Sequence, residues 1–217
     1  MKRASHCMLF VPALLAGCAN VATFERYMLD PIVTVHGPTG DELAVSTDYG
    51  VVFLGRGAQT GRIEFTAWFG DGPSREEGVI EALGGGLFAT ESEIELPSVP
   101  LSFRPPPLGS SVLVRGRRGG VPFEIEARLA ADARVSGLLL EPNDELEDLT
   151  DAELGAGIFQ LEAGQPLRLL GLISGRLELS DGRSYVTAIG PEDLWRLVVH
   201  RRNVDRPRRW VYREDVL

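Results

Sequence analysis

The sequence has few of the residues that build reactive sites. Its 217 residues include two cysteines, Cys7 and Cys18, one lysine, Lys2, and three histidines. Two cysteines are too few for a disulfide framework or for a metal site built from thiolates alone. The formal net charge of −9 argues against general nucleic-acid binding, which needs many phosphate-neutralising cations. We therefore expect no metal, no cofactor and no nucleic-acid partner.

The first seventeen residues have the pattern of a secretory signal. Lys2 and Arg3 precede an apolar run over 8–16 that is too short to span a bilayer permanently. A Leu-Ala-Gly-Cys sequence ending at Cys18 resembles the lipobox of bacterial lipoproteins. The resemblance implies that Cys18 becomes the mature N-terminus and carries lipid, palmitate included. With alanine at position 19, it also implies the periplasmic face of the outer membrane in the cell envelope. A cleaved signal with an incidental cysteine is the alternative.

From residue 31 to residue 189 the sequence predicts β-structure. Apolar or alternating runs recur between clusters of Gly, Pro, Asp and Ser, about twelve in all. In "RIEFTAWF" (62–69) and "PFEIEARLA" (122–130), apolar and polar residues alternate with the period of a strand that has one buried face. Such a series indicates a closed barrel pair or a sandwich. "EIELP" (93–97) is another predicted strand.

Proline and charge patterns suggest where the chain divides. The stretch "SFRPPPLGS" favours an extended crossing between two halves. "PEDLWRLVVHRR" (191–202) predicts a helix, because Pro191 suits a first turn and acids follow it. The predicted segments are a signal (1–17), a tether (18–30), a first β-barrel (31–103), a linker (104–110), a second β-barrel (111–190), and a C-terminal helix with a basic tail (191–217).

Several short motifs follow the order found in one known family. An Asp71-Gly72 turn comes after a strand, a Leu96-Pro97 pair follows, and "ELGAGIFQLEAGQPLRLLGLISGR" (153–176) reads as a strand hairpin. In this order and spacing, residues 48–190 resemble trypsin-like serine peptidases of the bacterial HtrA type, in which such a hairpin follows the nucleophile. The resemblance implies an all-β fold of two packed antiparallel barrels with a short C-terminal helix.

The catalytic positions of that family hold residues that cannot perform its chemistry. No histidine follows the glycine-rich strand, Gly86 stands at the aspartate, and Leu154 or Ala156 stands at the serine, depending on the alignment. Nucleophilic catalysis of this type needs an attacking atom, a base and a group that orients the base. His36 and His200 do not match the base. The resemblance thus implies a non-catalytic envelope protein that binds a peptide or protein partner or acts as a scaffold. A hydrolase with an unrecognised site and a structural β-sandwich lipoprotein remain alternatives.

Two charged regions have a second interpretation each. The acidic run 141–153 carries oxygen ligands in Asn143, Asp144, Glu145 and Asp148, but it lacks the spacing of a calcium loop, so a solvated loop is expected. Arginines cluster over 115–118 and 201–213, where they can contact anionic lipid or an acidic partner. Pairing with carboxylates of the same chain is the favoured interpretation.

Overall fold

The computed structural model describes residues 30–56, 61–70, 72–135, 137–161 and 166–214, with side chains up to residue 202. The predicted signal, Cys18 and nearly all of the tether lie outside these ranges. Within them, no helix is both long enough and apolar enough to cross a membrane.

The first half of the chain forms one antiparallel sheet of seven strands in the order β5-β4-β1-β2-β3-β7-β6. Strands β5 and β6 stand at opposite ends of this order, yet Ile80 alone separates them in the chain, so the sheet curls into a half-barrel. The strands are β1 Ile32–Gly37, β2 Gly40–Thr47, β3 Gly50–Phe53, β4 Arg62–Phe69, β5 Gly72–Val79, β6 Glu81–Gly84 and β7 Leu87–Thr90.

The second half forms a closed six-stranded barrel in the order β10-β13-β12-β11-β8-β9, and pairing between β9 and β10 completes the ring. Two short helical segments lie between β10 and β11, and one long helix ends the chain. The strands are β8 Ser111–Arg118, β9 Val121–Ala130, β10 Leu138–Leu140, β11 Gly157–Gln160, β12 Arg168–Glu178 and β13 Ser184–Ile189. The helices are α1 Asp144–Glu147, the 3-10 turn η1 Asp151–Glu153 and α2 Pro191–Glu214.

Alternating side chains build the two cores. On β4 and on β9 the apolar set predicted from the sequence is the buried one, with Phe65 and Ala127 almost fully enclosed. One cluster fills the half-barrel around Val35, Phe53 and Phe65. A larger cluster fills the closed barrel and reaches Leu43 of β2. Because this larger cluster contains residues of both halves, the interface between the halves is part of the main core. Each fully buried Val, Leu, Ile or Phe side chain in it contributes about 1.5–3 kcal/mol to the free energy of folding.

The prediction of an all-β fold of two barrels is confirmed. The second barrel is closed, whereas a β-sandwich would consist of two open sheets packed face to face. The predicted strand at 93–97 is wrong: the segment pairs with none of the seven strands of this sheet, and Ile94, which alternation predicted on a buried face, is exposed. The sequence did not predict β5, because its side chains are mostly polar and alternate between exposed and half-buried positions. No apolar face therefore marks the strand. His36 lies within β1. Helix α2 begins at Pro191, as predicted.

Candidate functional site

Gly86, which the sequence resemblance predicts at the family's aspartate position, lies in the turn between β6 and β7. Gly84, Gly85 and Gly86 all have positive φ, at 84°, 66° and 80°, as a tight turn of this kind requires. Gly86 is exposed and presents no ionisable group. The position of the missing histidine follows β3, where the described chain stops at Arg56 and resumes at Gly61.

Leu154, Gly155 and Ala156, which align with the family's serine loop, are held by backbone bonds on two sides. The N–H of Leu43 on β2 donates to the carbonyl of Leu154 at 2.9 Å. On the other side, Gly155 N–H donates to Ile173 O at 2.8 Å, and Ile173 N–H donates to Ala156 O at 2.9 Å. The connection therefore joins the first sheet to β12 and spans the groove between the two halves.

Gly155 is the residue that allows this close approach. Its φ is 89°, a region that side-chain-bearing residues rarely adopt. A Cβ atom built on it would lie 1.8 Å from the carbonyl oxygen of Leu43. Only a glycine fits between the two backbones here. The contact between the two halves therefore requires glycine at position 155.

A buried carboxylate supports the same region from the first sheet. Glu42 is 2% exposed and accepts hydrogen bonds from the backbone N–H groups of Gly55 at 3.0 Å and Arg56 at 3.3 Å. Burial raises the pKa of Glu42 above its ordinary value, although the two N–H bonds and the Arg56 charge oppose that shift. Arg56 then crosses to the second half, where it donates to the carbonyl of Asp151 at 2.7 Å and pairs with its carboxylate at 3.1 Å.

A second buried carboxylate, Glu153, caps η1. It accepts from the backbone N–H and the hydroxyl of Thr150, and Arg118 Nε donates to it at 2.6 Å. Burial alone would raise the pKa of Glu153, but the bonds from Thr150 and Arg118 outweigh burial and lower it. Glu153 therefore remains ionised and fixes the segment that precedes Leu154.

A cavity of about 280 Å³ separates this segment from β12. Beyond Ile173, β12 pairs with β13 along one side, and no strand in the described part of the chain pairs with its other side. The guanidinium of Arg176 donates to the carbonyls of Leu146, Glu147 and Leu149, which holds the opposite wall in place. The lining is mainly apolar and consists of Leu146, Leu149, Thr150, Asp151, Leu154, Ile173, Gly175, Arg176 and Val186.

A hydrogen-bonded chain of three side chains was missed by sequence reasoning. His36 Nδ1 lies 2.8 Å from Asp41 Oδ1, and its Nε2 lies 2.8 Å from Thr66 Oγ1. The hairpin turn in "HGPTGD" was the available signal, because it places His36 opposite Asp41 across β1 and β2. Nothing in the local sequence indicates Thr66, since its approach depends on pairing of β1 with β4.

The acidic run and the arginine clusters serve mainly structural contacts. Asn143 caps α1 by accepting from Leu146 N–H at 2.8 Å, so part of the expected loop is helical. Nowhere in the described ranges do three His, Cys, Asp or Glu side chains converge as a metal site would need. Pairing within the chain is confirmed for four arginines: Arg115 with Glu124, Arg117 with Asp30, Arg118 with Glu153, and Arg201 with Glu81 and Glu91.

A half-barrel and a closed barrel, with the serine-loop connection between them and a helix at the end, define the trypsin-like serine protease fold. Among solved structures, the chain is similar to the Mycobacterium tuberculosis H37Rv protease Rv3671c. A serine-to-alanine mutant of that protease, in an inactive form, has a TM-score of 0.60 at 16% identity, covering 87% of this chain and 92% of that one. Another inactive form of the protease gives 0.51 at 16% identity, covering 82% and 90%.

A viral enzyme shows the same likeness. The serine protease of a human pathogenic astrovirus has a TM-score of 0.53 at 15% identity, covering 75% of this chain and 91% of that one. No protein-family model matches the sequence, and no curated protein matches it. At these identities the similarity shows the fold alone, and the function has to be argued from the residues of this chain.

Proposed function

We propose that this chain is a lipid-anchored envelope protein whose trypsin-like fold binds an extended peptide segment without cleaving it. The observation that carries the proposal is the segment of β12 after Ile173, which has no partner strand on one side within the described residues and lies beside an apolar cavity. Backbone groups on such an edge can pair with an added strand, and a neighbouring cavity can select one of its side chains. Peptide binding of this kind requires a sheet edge and no nucleophile.

The cavity suits an aliphatic or small aromatic side chain. Leu149, Ile173 and Val186 contribute its apolar surface. Burying one such side chain removes its apolar area from water and contributes about 1.5–3 kcal/mol, less the cost of ordering the peptide. The acidic balance of the chain, −9 overall, favours partners that are neutral or basic outside this apolar position.

The absence of cleavage follows from what replaces the family's reacting groups. Leu154 and Ala156 carry no attacking atom, and Gly86 carries no carboxylate. The bond from Leu43 to Leu154 also holds the serine-loop connection against β2. A peptide on β12 would therefore meet neither a nucleophile nor its supporting charge.

Substitution of Gly175 tests peptide binding directly. This residue lines the cavity, its φ is ordinary, and an added Cβ would meet only Thr187 Oγ1, at 3.6 Å. Gly175→Leu should thus add a bulky side chain at the wall of the cavity, and thermal unfolding of the variant checks that the fold is intact. The matched control is Ser184→Leu, which adds the same side chain at an exposed position on β13 that does not line the cavity.

The probe is a fluorescein-labelled hexapeptide library with Leu, Val or Phe fixed at one position, followed by fluorescence polarisation on the chain from residue 19. We expect binding by the parent chain and by Ser184→Leu, and weakening of about tenfold or more, 1.4 kcal/mol, in Gly175→Leu. Equal binding by both variants, or no binding by the parent, would contradict the proposal. Mass spectrometry of the bound peptides should show them intact.

The lipid anchor has a separate test. The full chain and its Cys18→Ala variant are expressed in a Gram-negative host that is fed an alkynyl palmitate. We expect label and outer-membrane fractionation for the full chain, and neither for the variant, because one thioether-linked diacylglycerol plus an amide-linked acyl chain provides more than one anchor. An unlabelled full chain would contradict lipidation but would leave the peptide-binding result standing.

A further inference from the structure

A hydroxyl, an imidazole and a carboxylate form one hydrogen-bonded chain on the outer face of the first sheet. Thr66 Oγ1 and Asp41 Oδ1 lie on opposite sides of the His36 ring, each 2.8 Å from a ring nitrogen. We propose that Thr66, His36 and Asp41 form a nucleophilic site that accepts the acyl group of a carboxylic ester, separate from the peptide-binding edge of β12.

The direction of the hydrogen bonds follows from the partners. An ionised Asp41 can only accept, so it selects the tautomer of His36 with a proton on Nδ1. Nε2 of the neutral ring then has a lone pair and must accept, so the Thr66 hydroxyl donates to it. This is the arrangement in which a base takes the proton of a nucleophile while a carboxylate orients the base and stabilises its charged form.

Strand register holds the three side chains in place. On β1, Val35 faces the half-barrel core while His36 faces outward, and on β4 Phe65 and Thr66 divide in the same way. Asp41 lies directly opposite His36 in the β1–β2 hairpin. Because β4, β1 and β2 are adjacent in the sheet, the three side chains come from a rigid surface rather than from loops.

The chain opens into a cavity that can hold a substrate. Its volume is about 600 Å³, within the range of small-molecule sites. Thr66 is 8% exposed, and the His36 side chain is 25% exposed, so the hydroxyl is shielded from bulk water while the base remains accessible. Trp68 supplies an aromatic wall, and the half-exposed guanidinium of Arg118 supplies positive charge for an oxyanion.

The reaction needs only the ester and water. Thr66 Oγ1 attacks the carbonyl carbon as its proton passes to His36 Nε2, and the ester C–O bond breaks while the alcohol leaves with that proton. Water then attacks the threonine ester as it gives a proton to Nε2, and Thr66 recovers the proton as its own C–O bond breaks. One ester and one water become one acid and one alcohol, and Asp41 stabilises the imidazolium in both halves.

This site and the peptide-binding edge are spatially distinct. The 600 Å³ cavity and the 280 Å³ cavity lie on different sides of η1 and have only Thr150 in common among their lining residues. Loss of one activity is therefore expected to leave the other intact, and Gly175→Leu serves as a variant that changes the first cavity alone.

The experiment uses the chain from residue 19 with p-nitrophenyl acetate and, separately, with a fluorophosphonate probe. We expect acetate release and covalent modification that peptide mass mapping locates at Thr66. Thr66→Val, which preserves side-chain shape, should abolish both, while Thr66→Ser should retain modification at that position. His36→Gln should lower the modification rate by about a hundredfold or more.

The matched control is Thr187→Val, a half-buried threonine on β13 that does not line this cavity. It should be modified at the parent rate. Thermal unfolding of each variant establishes that the sheet is intact. An unmodified parent chain, modification at any residue other than Thr66, or a Thr66→Val variant that still reacts would each overturn the proposal, whatever the outcome of the peptide-binding experiment.

Discussion

The backbone N–H of Leu43 donates a 2.9 Å hydrogen bond to the carbonyl oxygen of Leu154, and this bond joins the two halves of the fold at the connection that we predict to align with the family's serine loop. It uses two backbone groups, so it does not depend on which side chain stands at 154. The contact depends instead on Gly155, whose backbone lies against the carbonyl group of Leu43.

Gly155→Ala should destabilise the protein by about 2 kcal/mol or more, because a side chain is strained at positive φ and the new Cβ overlaps Leu43 O. The measurement is urea unfolding followed by tryptophan fluorescence. Gly175→Ala is the control, since that glycine has ordinary φ and open space. Equal free energies of unfolding for the two variants would mean that the close approach at Gly155 has no energetic role.

The buried carboxyl of Glu42 predicts a dependence of stability on pH. Burial raises its pKa above 4.5, so the native state holds the proton more tightly than the unfolded state does. The contribution of this group to stability is therefore complete below pH 4.5 and is lost as pH rises through the native pKa. The side chain in Glu42→Gln cannot ionise. The free energy of unfolding of this variant should therefore increase relative to that of the parent as pH rises from 4.5 towards neutrality.

Denaturant unfolding at a series of pH values checks this prediction. The control is Glu64→Gln, an exposed carboxyl on β4, which should follow the parent curve. Parallel curves for Glu42→Gln and the parent would contradict it.

A network of Asp132, Arg134, Asp181 and Arg183 predicts the opposite behaviour in acid. Hydrogen bonds from Arg183 lower the pKa of Asp181 to about 2, and bonds from Arg134 lower that of Asp132 below its usual range. These carboxylates contribute stability above their ordinary value of 3.8, and that stability is lost as pH falls through the native pKa values.

As pH falls from 3.8 to about 2, the melting temperature of Asp132→Asn should therefore decrease less than the melting temperature of the parent does. The effect should shrink at high salt because the Arg134, Asp181 and Arg183 side chains are about half exposed, although the Asp132 side chain itself is buried among them. An acid transition of unchanged steepness in the variant would show that these ion pairs have no part in it.

The ion pair of Asp30 and Arg117 is largely buried, with an O–N distance of 2.7 Å and exposed side-chain fractions of 7% and 11%. Asp30→Ala should cost about 3–5 kcal/mol, because it leaves the Arg117 charge buried without its partner. Adding Arg117→Met to that variant should restore part of the loss. A double-mutant cycle by urea unfolding measures the coupling, and additive effects would contradict it.

Short-range patterns were enough to predict much of the fold. Alternation in β4 and β9 identified their buried faces, and Pro191 with two following acids identified the start of α2. The same approach failed at 93–97, where an alternating pattern has no strand to pair with, and at β5, where a paired strand carries polar residues. In both cases the outcome depends on which sheet edges are free, and local residues do not specify that.

Composition and motif order by themselves predicted an all-β chain of two barrels, which is confirmed. The lack of the family's reacting groups at Gly86 and at Leu154 or Ala156 stays a prediction, and so does the N-terminal lipid anchor. Tertiary pairing alone brought His36 to Thr66 and buried Glu42 against the turn at Gly55. It also left the segment of β12 after Ile173 without a second partner strand among the described residues. The physical reason is sequence distance. A period-two pattern specifies which way each side chain faces, but contacts between strands many residues apart are selected only when the whole core assembles.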